Sequence, residues 1–209
     1  MLIGLTGGIA SGKSTVSKYL RDQGYALVDA DRINHELMEP GATVYRALVN
    51  HYGPWILSDR EAGGDSDLQT IDRRKLGSHV FGRPDRLEEL NQISHPIIYR
   101  EIQERIHQYS TEGPKHGIIF IDLPLLFETE AGERLPFDRI WLVYARPELQ
   151  HRRLMDRDGL SELEAENRIR SQMPMEEKRK LADLVIVNEG DLADLYRSVD
   201  EAIKQSIHG

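Results

Sequence analysis

The 209-residue sequence contains no cysteine. That excludes a disulfide framework, a thiolate metal site and a cysteine nucleophile. No apolar run approaches the roughly 20 residues needed to cross a bilayer. The first residues, Met1-Leu2-Ile3-Gly4-Leu5-Thr6, carry no basic stretch of the kind that opens a secretory signal. A cytoplasmic protein with no membrane partner is expected. Positive charge is also in deficit: 27 Lys and Arg face 35 Asp and Glu, a net charge of −8. A generic nucleic-acid binder shows a basic footprint, so nucleic acid is not an expected partner. Internal repeats and low-complexity tracts are missing as well. What is present suits a globular chain, with 39% hydrophobic and 30% charged residues and a mean hydropathy of −0.51. At about 150 residues per domain, the length fits one large domain or a core with a subdomain. A monomer or weak homo-oligomer is expected.

Five short apolar runs read as buried strands: Leu2–Leu5, Tyr25–Val28, Gly117–Asp122, Arg139–Tyr144 and Leu184–Val187. Helical spacing follows the first over Lys13–Asp22, with Val16, Tyr19 and Leu20 in phase, and Gly24 stops it. A second helix is expected from Ile33 to Met38, ended by Pro40-Gly41. From about Thr43 to Gln108 the pattern is mostly helical: Leu76, Val80 and Phe81 share a face, as do Ile98, Ile102 and Ile106. The polar stretch Ser58–Thr70 interrupts it as a loop. A helix starts near Pro147; another starts at Ser161, where Glu164 completes a capping box. Asp191 is placed to cap a last helix, from Leu192 to about Ser206. Strands alternating with helices predict an α/β protein, a parallel sheet covered on both faces. The helical stretch after the second strand is too long for one crossover and reads as a subdomain inserted at the edge of the site.

The strongest chemical signal is Gly7-Gly8-Ile9-Ala10-Ser11-Gly12-Lys13-Ser14. It fits G-x-x-x-x-G-K-[ST] between a strand and a helix, the context that defines a P-loop. Glycines let successive N–H groups turn inward toward an anion, and the helix N-terminus adds its positive end. Lys13 supplies a point charge for the β- and γ-phosphates, and Ser14 a hydroxyl for Mg²⁺, which prefers oxygen. Guanine-reading switches carry Asn-Lys-x-Asp, and no such tetrapeptide occurs. The chain leaves little room for the partner surfaces of a motor. A small kinase remains, and it needs an acceptor site and a group to receive a hydroxyl proton.

Ligands of open α/β sheets sit beyond the carboxyl ends of the strands. Asp29 and Asp31 follow the second strand and Asp122 ends the third. Asp31 is the candidate base, with Asp29 second; the other reading of Asp29-Ala30-Asp31 is a cap for the next helix. Asp122 fits an acid that holds Mg²⁺ through water, the alternative being an ordinary strand-end carboxylate. Arg146, Arg152, Arg153, Arg157, Arg168 and Arg170 cluster between strands four and five. Arg153 and Arg157, four apart, share a helix face. As a group they read as a lid over the nucleotide, since phosphoryl transfer gains from charge placed around the moving group. Interleaved Asp156, Glu162, Glu164 and Glu166 allow a solvated helix with ion pairs instead.

These residues together resemble the dephospho-coenzyme A kinase family nearly end to end. Leu5-Thr6-Gly7-Gly8-Ile9-Ala10-Ser11-Gly12-Lys13-Ser14-Thr15 is similar to its LTGGIGSGKST, with Ala10 at a glycine position that should tolerate a small side chain. Asp29-Ala30-Asp31, Glu39-Pro40-Gly41 and His95-Pro96-x-Ile98 resemble its DAD, EPG and HPxI. Asp122-Leu123-Pro124-Leu125-Leu126-Phe127-Glu128 resembles DVPLLFE. Gln150-x-x-Arg153-x-x-x-Arg157, Gln172-Met173 and Asn188-x-Gly190 match later signatures. Read alone, His95-Pro96 could open a helix and Leu125-Leu126-Phe127 could be core. The loop at 58–70 departs most from the family.

The resemblance implies a P-loop NTPase fold with a five-stranded parallel sheet in the order 2-3-1-4-5. The core would span 1–40, 113–145 and 181–209, with a helical CoA-binding subdomain at about 41–112 and a lid at about 146–180. It implies transfer of the ATP γ-phosphoryl group to the ribose 3′-hydroxyl of dephospho-CoA, with Mg²⁺. Position by position, Asp31 would be the base, with Lys13 and Arg153 beside it in catalysis. Gly8, Ala10, Ser11, Gly12, Lys13, Ser14, Thr15, Arg157, Asn188 and Gly190 would bind ATP. Thr6, Asp31, His95, Pro124, Leu125 and Leu126 would border the acceptor, and Ser14 and Asp122 would hold the metal. Other small P-loop kinases, of nucleoside monophosphates or shikimate, lack HPxI and DxPLLFE. An ATP-binding regulatory module would need neither Asp31 nor a lid. Two polyanionic substrates are compatible with the charge deficit, because residues 55–72 and 181–209 each carry −4 and leave the remainder neutral.

Overall fold

A computed structural model describes residues 1–59, 69–80 and 82–208. The elements run β1 (Leu2–Gly7), α1 (Lys13–Asp22), β2 (Ala26–Asp29), α2 (Ala30–Leu37), α3 (Thr43–Tyr52), α4 (Arg73–Val80), α5 (Pro84–Glu112) and β3 (Ile119–Asp122). They continue with α6 (Ala131–Arg134), β4 (Arg139–Tyr144), α7 (Pro147–Asp158), α8 (Glu162–Arg170), α9 (Met175–Leu181), β5 (Leu184–Val187) and α10 (Leu192–His208). The chain divides into two compact units, one of residues 1–29 and 106–209, the other of 30–105.

The first unit holds the sheet, in the expected order β2-β3-β1-β4-β5 with every pair parallel. Parallel strands need helices on both faces, so their sequences are apolar in both directions. On one face Ile3, Leu5, Phe120, Trp141 and Ile186 pack against Val16 and Leu20 of α1 and Leu195, Val199 and Ile203 of α10. On the other, Leu142 and Tyr144 meet Met175 of α9. Register brings Asp122 level with Leu5 of β1 and Asp29 of β2. The carboxyl ends of the three strands thus gather the acidic residues where the loop after β1 begins. The capping box at Ser161 forms, its hydroxyl and the Glu164 carboxylate each taking the other's backbone N–H. Asp191 accepts from the Asp194 N–H at 2.9 Å at the start of α10, as expected.

The second unit is helical. Val44, Tyr45 and Leu48 of α3 pack with Ile56, Ile71, Leu76 and Val80. α3 ends where Gly53 takes φ +85° before a turn of 3-10 helix at Pro54–Ile56. Leu57 bridges Ile71 antiparallel and the Ser58 N–H donates to the Thr70 carbonyl at 2.8 Å, so the ends of the polar loop are tied. Residues 60–68 of that loop, and Phe81, lie outside the described residues. Asp72 caps α4 through the N–H groups of Arg74 and Lys75 at 2.8 and 3.1 Å, and these bonds, that of Lys75 first, hold its carboxyl below the usual carboxylate range. Pro96 stands inside α5 rather than at a helix start. Among the described residues no helix is long and apolar enough to cross a membrane.

Candidate active site

The loop between β1 and α1 is a turn closed by the Ser11 N–H on the Gly8 carbonyl at 3.1 Å. A Cβ on Gly7 would stand 2.6 Å from Ser11 Oγ and 2.9 Å from the Val143 carbonyl, so a side chain has no space there. Gly12 caps α1 with φ +96°, and a Cβ on it would collide with Asn188 Nδ2. That amide donates to the Ser11 carbonyl at 2.8 Å and holds the cradle from the carboxyl end of β5. No side chain caps α1 and its first turn has no acid, leaving the orphan N–H groups and the dipole to an anion. Ala10 takes φ +58°. The left-handed region costs a residue with a Cβ about 1–2 kcal/mol, so the alanine is strained where the sequence reads as tolerant.

Lys13 Nζ pairs with Asp122 Oδ1, and Ser17 Oγ donates to Asp122 Oδ2. Both carboxylate oxygens of the buried Asp122 are thereby engaged, while Ser14 is exposed. Asp29 accepts from Arg21 Nη2 at 2.7 Å. Thr6 is buried and donates to the Pro124 carbonyl at 3.2 Å, fixing the turn after β3. Leu126 is 1% exposed and would strike a Cβ on Gly4, so its side chain is closed to a ligand; Leu125 is 42% exposed. Asp31 lies in the first turn of α2 and His95 in the middle of α5, edge-on to the Tyr99 ring at 5.7 Å; both belong to the second unit.

On α7, Arg153 keeps a buried Nη1 with no hydrogen-bond partner. Arg157 instead donates to its neighbour Asp158 at 2.7 and 3.0 Å, and Arg168 reaches the same carboxylate at 2.9 Å. Arg157's hydrogen bond holds Asp158 below its usual range and raises Arg157 in return. Arg146 is likewise paired, to Glu189 at 2.8 Å. Asn188 is buried against the cradle, and Gly190 stands where a Cβ would meet Asp194 Oδ2 at 2.5 Å. Sequence reasoning assigned no part to Gln150, Gln172, Glu128 or Lys178, all of which are engaged here. Gln150 Nε2 donates to the Ile9 carbonyl at 2.6 Å and Gln172 Oε1 accepts from the Ile9 N–H at 2.8 Å. Lys178 is fully buried with Nζ 2.7 Å from Glu128 Oε1, close enough to pair but off the line of a hydrogen bond. For Gln150, Gln172 and Glu128 the only signal was position inside family-like motifs; Lys178 carried none.

A parallel sheet in this order, with an uncapped helix N-terminus behind a glycine loop and a lysine set against a strand-end aspartate, defines a P-loop phosphotransferase fold. The dephospho-CoA kinase family model, CoaE, matches residues 1–194. A dephospho-CoA kinase of Carboxydothermus hydrogenoformans is 47% identical over 191 residues, covering 91% of this chain and 87% of that one. A crystal structure from Thermus thermophilus superposes with a TM-score of 0.78 at 36% identity, over 98% and 97% of the two chains. Dephospho-CoA kinase from Campylobacter jejuni gives 0.63 at 28% identity, over 99% and 96%. The chain belongs to the dephospho-CoA kinase family.

Proposed function

We propose that the protein phosphorylates the ribose 3′-hydroxyl of dephospho-CoA with ATP, giving CoA and ADP, the last step of CoA synthesis. The observation that carries this reading is the phosphate cradle, with Lys13 against Asp122, in a chain whose family match runs over residues 1–194. The 3′-oxygen bonds to the γ-phosphorus, the bond from phosphorus to the β–γ bridging oxygen breaks, and the hydroxyl proton passes to Asp31. Gly8 and residues 10–15 grip the phosphates, Arg153 and Arg157 close from the lid at about 146–180, and Asn188 and Gly190 flank the adenine. Thr6, through the Pro124 carbonyl it fixes, and Leu125 are assigned to the acceptor, as is His95 of the helical unit. The helical unit at about 41–112 receives the CoA portion.

The donor set fits Mg²⁺ delivered with the nucleotide. Among the described residues no group of three or more His, Asp or Glu could hold a metal alone. Mg²⁺ usually keeps waters and takes one or two protein ligands plus phosphates. Ser14 would hold it directly and Asp122 through water, and it would neutralise charge on the β- and γ-oxygens. A cytoplasmic location and a monomer or weak homo-oligomer fit the reading.

An acceptor panel tests it. Purified protein with ATP and Mg²⁺ is offered dephospho-CoA, AMP and shikimate in parallel. ADP and CoA are expected from the first alone. Turnover of AMP or shikimate without dephospho-CoA sinks the assignment.

A further inference from the structure

We propose that Gln150 and Gln172 are positioning residues, which set the lid arginines against the phosphate cradle through the backbone of Ile9. The proposal rests on the kinase reading above. Ile9 lies in the middle of the cradle, and its N–H and carbonyl oxygen are taken by these two side chains, one accepting at 2.8 Å and one donating at 2.6 Å. Ile9 is half-buried, and its backbone groups take their partners from the lid segment rather than from the loop itself.

The two amides sit on different levers. Gln150 is 1% exposed in the first turns of α7, and Arg153 and Arg157 follow it by three and seven residues on the same helix. Positions i, i+3 and i+7 share a face. The helix that carries the arginines is therefore pinned to the loop that would hold the phosphates. Gln172 lies in the joint between α8 and α9. Its neighbour Met173 donates its N–H to Glu128 Oε1 at 3.0 Å, and Glu128 is the carboxylate paired with buried Lys178. The joint is thus anchored to the segment that follows Asp122.

Between cradle and lid lies a cavity of about 300 Å³, lined by Gly8 and Ile9 on one side and by Gln150, Gln172, Met173 and Met175 on the other. Packing across this space is incomplete, so the two amides supply directed contacts across it. A Cβ on Gly8 would collide with Gln150 Nε2 and stand 2.5 Å from Met175 Sδ, so the approach at that edge is as close as backbone allows. The residue after Ile9 is the strained Ala10, φ +58°, whose orientation follows that of the Ile9 peptide. A shift of either glutamine would turn the cradle's N–H groups and displace Arg153 relative to them.

The test replaces each amide by methionine, which keeps length without polar atoms, and measures kcat, both KM values and the unfolding temperature. Each single variant is expected to lose about tenfold in kcat, the scale of one half-buried backbone group left unpaired, with KM for dephospho-CoA within about twofold of wild type. The double variant should lose clearly less than the product of the singles, since both act on one peptide. Gln172→Glu keeps an acceptor for the Ile9 N–H and should regain part of the loss. Gln150→Glu lacks the donor and should fall at least as far as Gln150→Met. Methionine variants that melt lower but keep kcat and ATP KM within about twofold overturn the proposal, as do multiplicative losses. Should a methionine variant not fold, the two glutamate variants decide: equal losses overturn it. If wild-type protein phosphorylates no dephospho-CoA, the substrate reading fails instead. The proposal is then read from ATP binding, which Gln172→Met should weaken about tenfold and which an unchanged affinity would refute.

Discussion

Lys13 and Asp122, 109 residues apart in the chain, form an ion pair across the carboxyl ends of adjacent strands β1 and β3. A lysine is a mobile point charge, and the phosphates that the cradle is built for compete with this carboxylate for it. Lys13→Met should cost turnover about 100-fold or more, the scale of removing one transition-state donor. It should also destabilise the protein by about 2 kcal/mol, less than a fully buried pair, because Lys13 stays 14% exposed and Ser17 still serves Asp122. Adding Asp122→Asn should return most of the stability and none of the activity. Urea unfolding alongside kcat checks both; a double variant no more stable than Lys13→Met counts against the pair.

Asp31 carries the acceptor chemistry in the proposed function. Asp31→Asn should keep ATP affinity near wild type while turnover falls about 100-fold, the lower end of general-base effects. Unchanged turnover takes Asp31 out of the role.

Ala10 offers a stabilising change. At φ +58° a glycine escapes the Cβ penalty and gives back part of it as unfolded-state entropy. Ala10→Gly should gain about 0.5–1 kcal/mol, or about 1–4 °C in Tm for a chain of this size. A melting curve of the nucleotide-free protein decides, and a lower Tm contradicts the backbone argument.

What the sequence made legible follows a physical line. Buried parallel strands are short apolar runs, and the sequence placed all five, as it placed the capping box at Ser161. The P-loop could be read because each glycine there answers a local backbone demand: Gly12 is left-handed and Gly7 has no room for a Cβ. Contacts set by tertiary approach left no such trace. Asn188 reaches the Ser11 carbonyl only because β5 is the outer neighbour of β4, and Gln150 meets Ile9 only through the packing of α7. Lys178, in the run Glu176-Glu177-Lys178-Arg179-Lys180, reads as a solvated charge and is fully buried. Ala10 misled because composition shows a small residue while the cost lies in φ.

The pair of Lys178 and Glu128 carries a stability prediction. Breaking a buried pair from one side strands a charge, at about 3–5 kcal/mol. Glu128 keeps 18% exposure, so Lys178→Met should cost about 2–3 kcal/mol, below a fully buried pair, with Glu128 left only the Met173 N–H and an Oε2 that already lacks a partner. Lys178→Met with Glu128→Gln should recover at least about half, because a neutral amide removes the stranded charge. Equal unfolding free energies for single and double variants would show that the charges do not matter to each other.

Arg157, one of the two lid arginines assigned to the nucleotide, is ion-paired in the structure, and Asp158 is its partner. The hydrogen bond from Arg157 holds the Asp158 carboxyl below its usual value. A depressed carboxylate contributes its pairing in full above the unfolded value of about 3.9 and loses it as pH falls through the lower folded value. Across assays at pH 6–8 the tether is therefore constant, and a pH profile in that range will not report on it. Substitution will. If Arg157 must leave Asp158 to reach ATP, Asp158→Asn lowers KM for ATP by up to about fivefold, the range of an exposed ion pair, and leaves kcat unchanged. In an Arg157→Met background, where KM for ATP is already raised, the same Asp158→Asn should change nothing. Steady-state ATP titrations of the four proteins close the cycle. An Asp158→Asn effect that persists without Arg157 would mean that the carboxylate acts by its own charge or through Arg168, its other partner, rather than through Arg157.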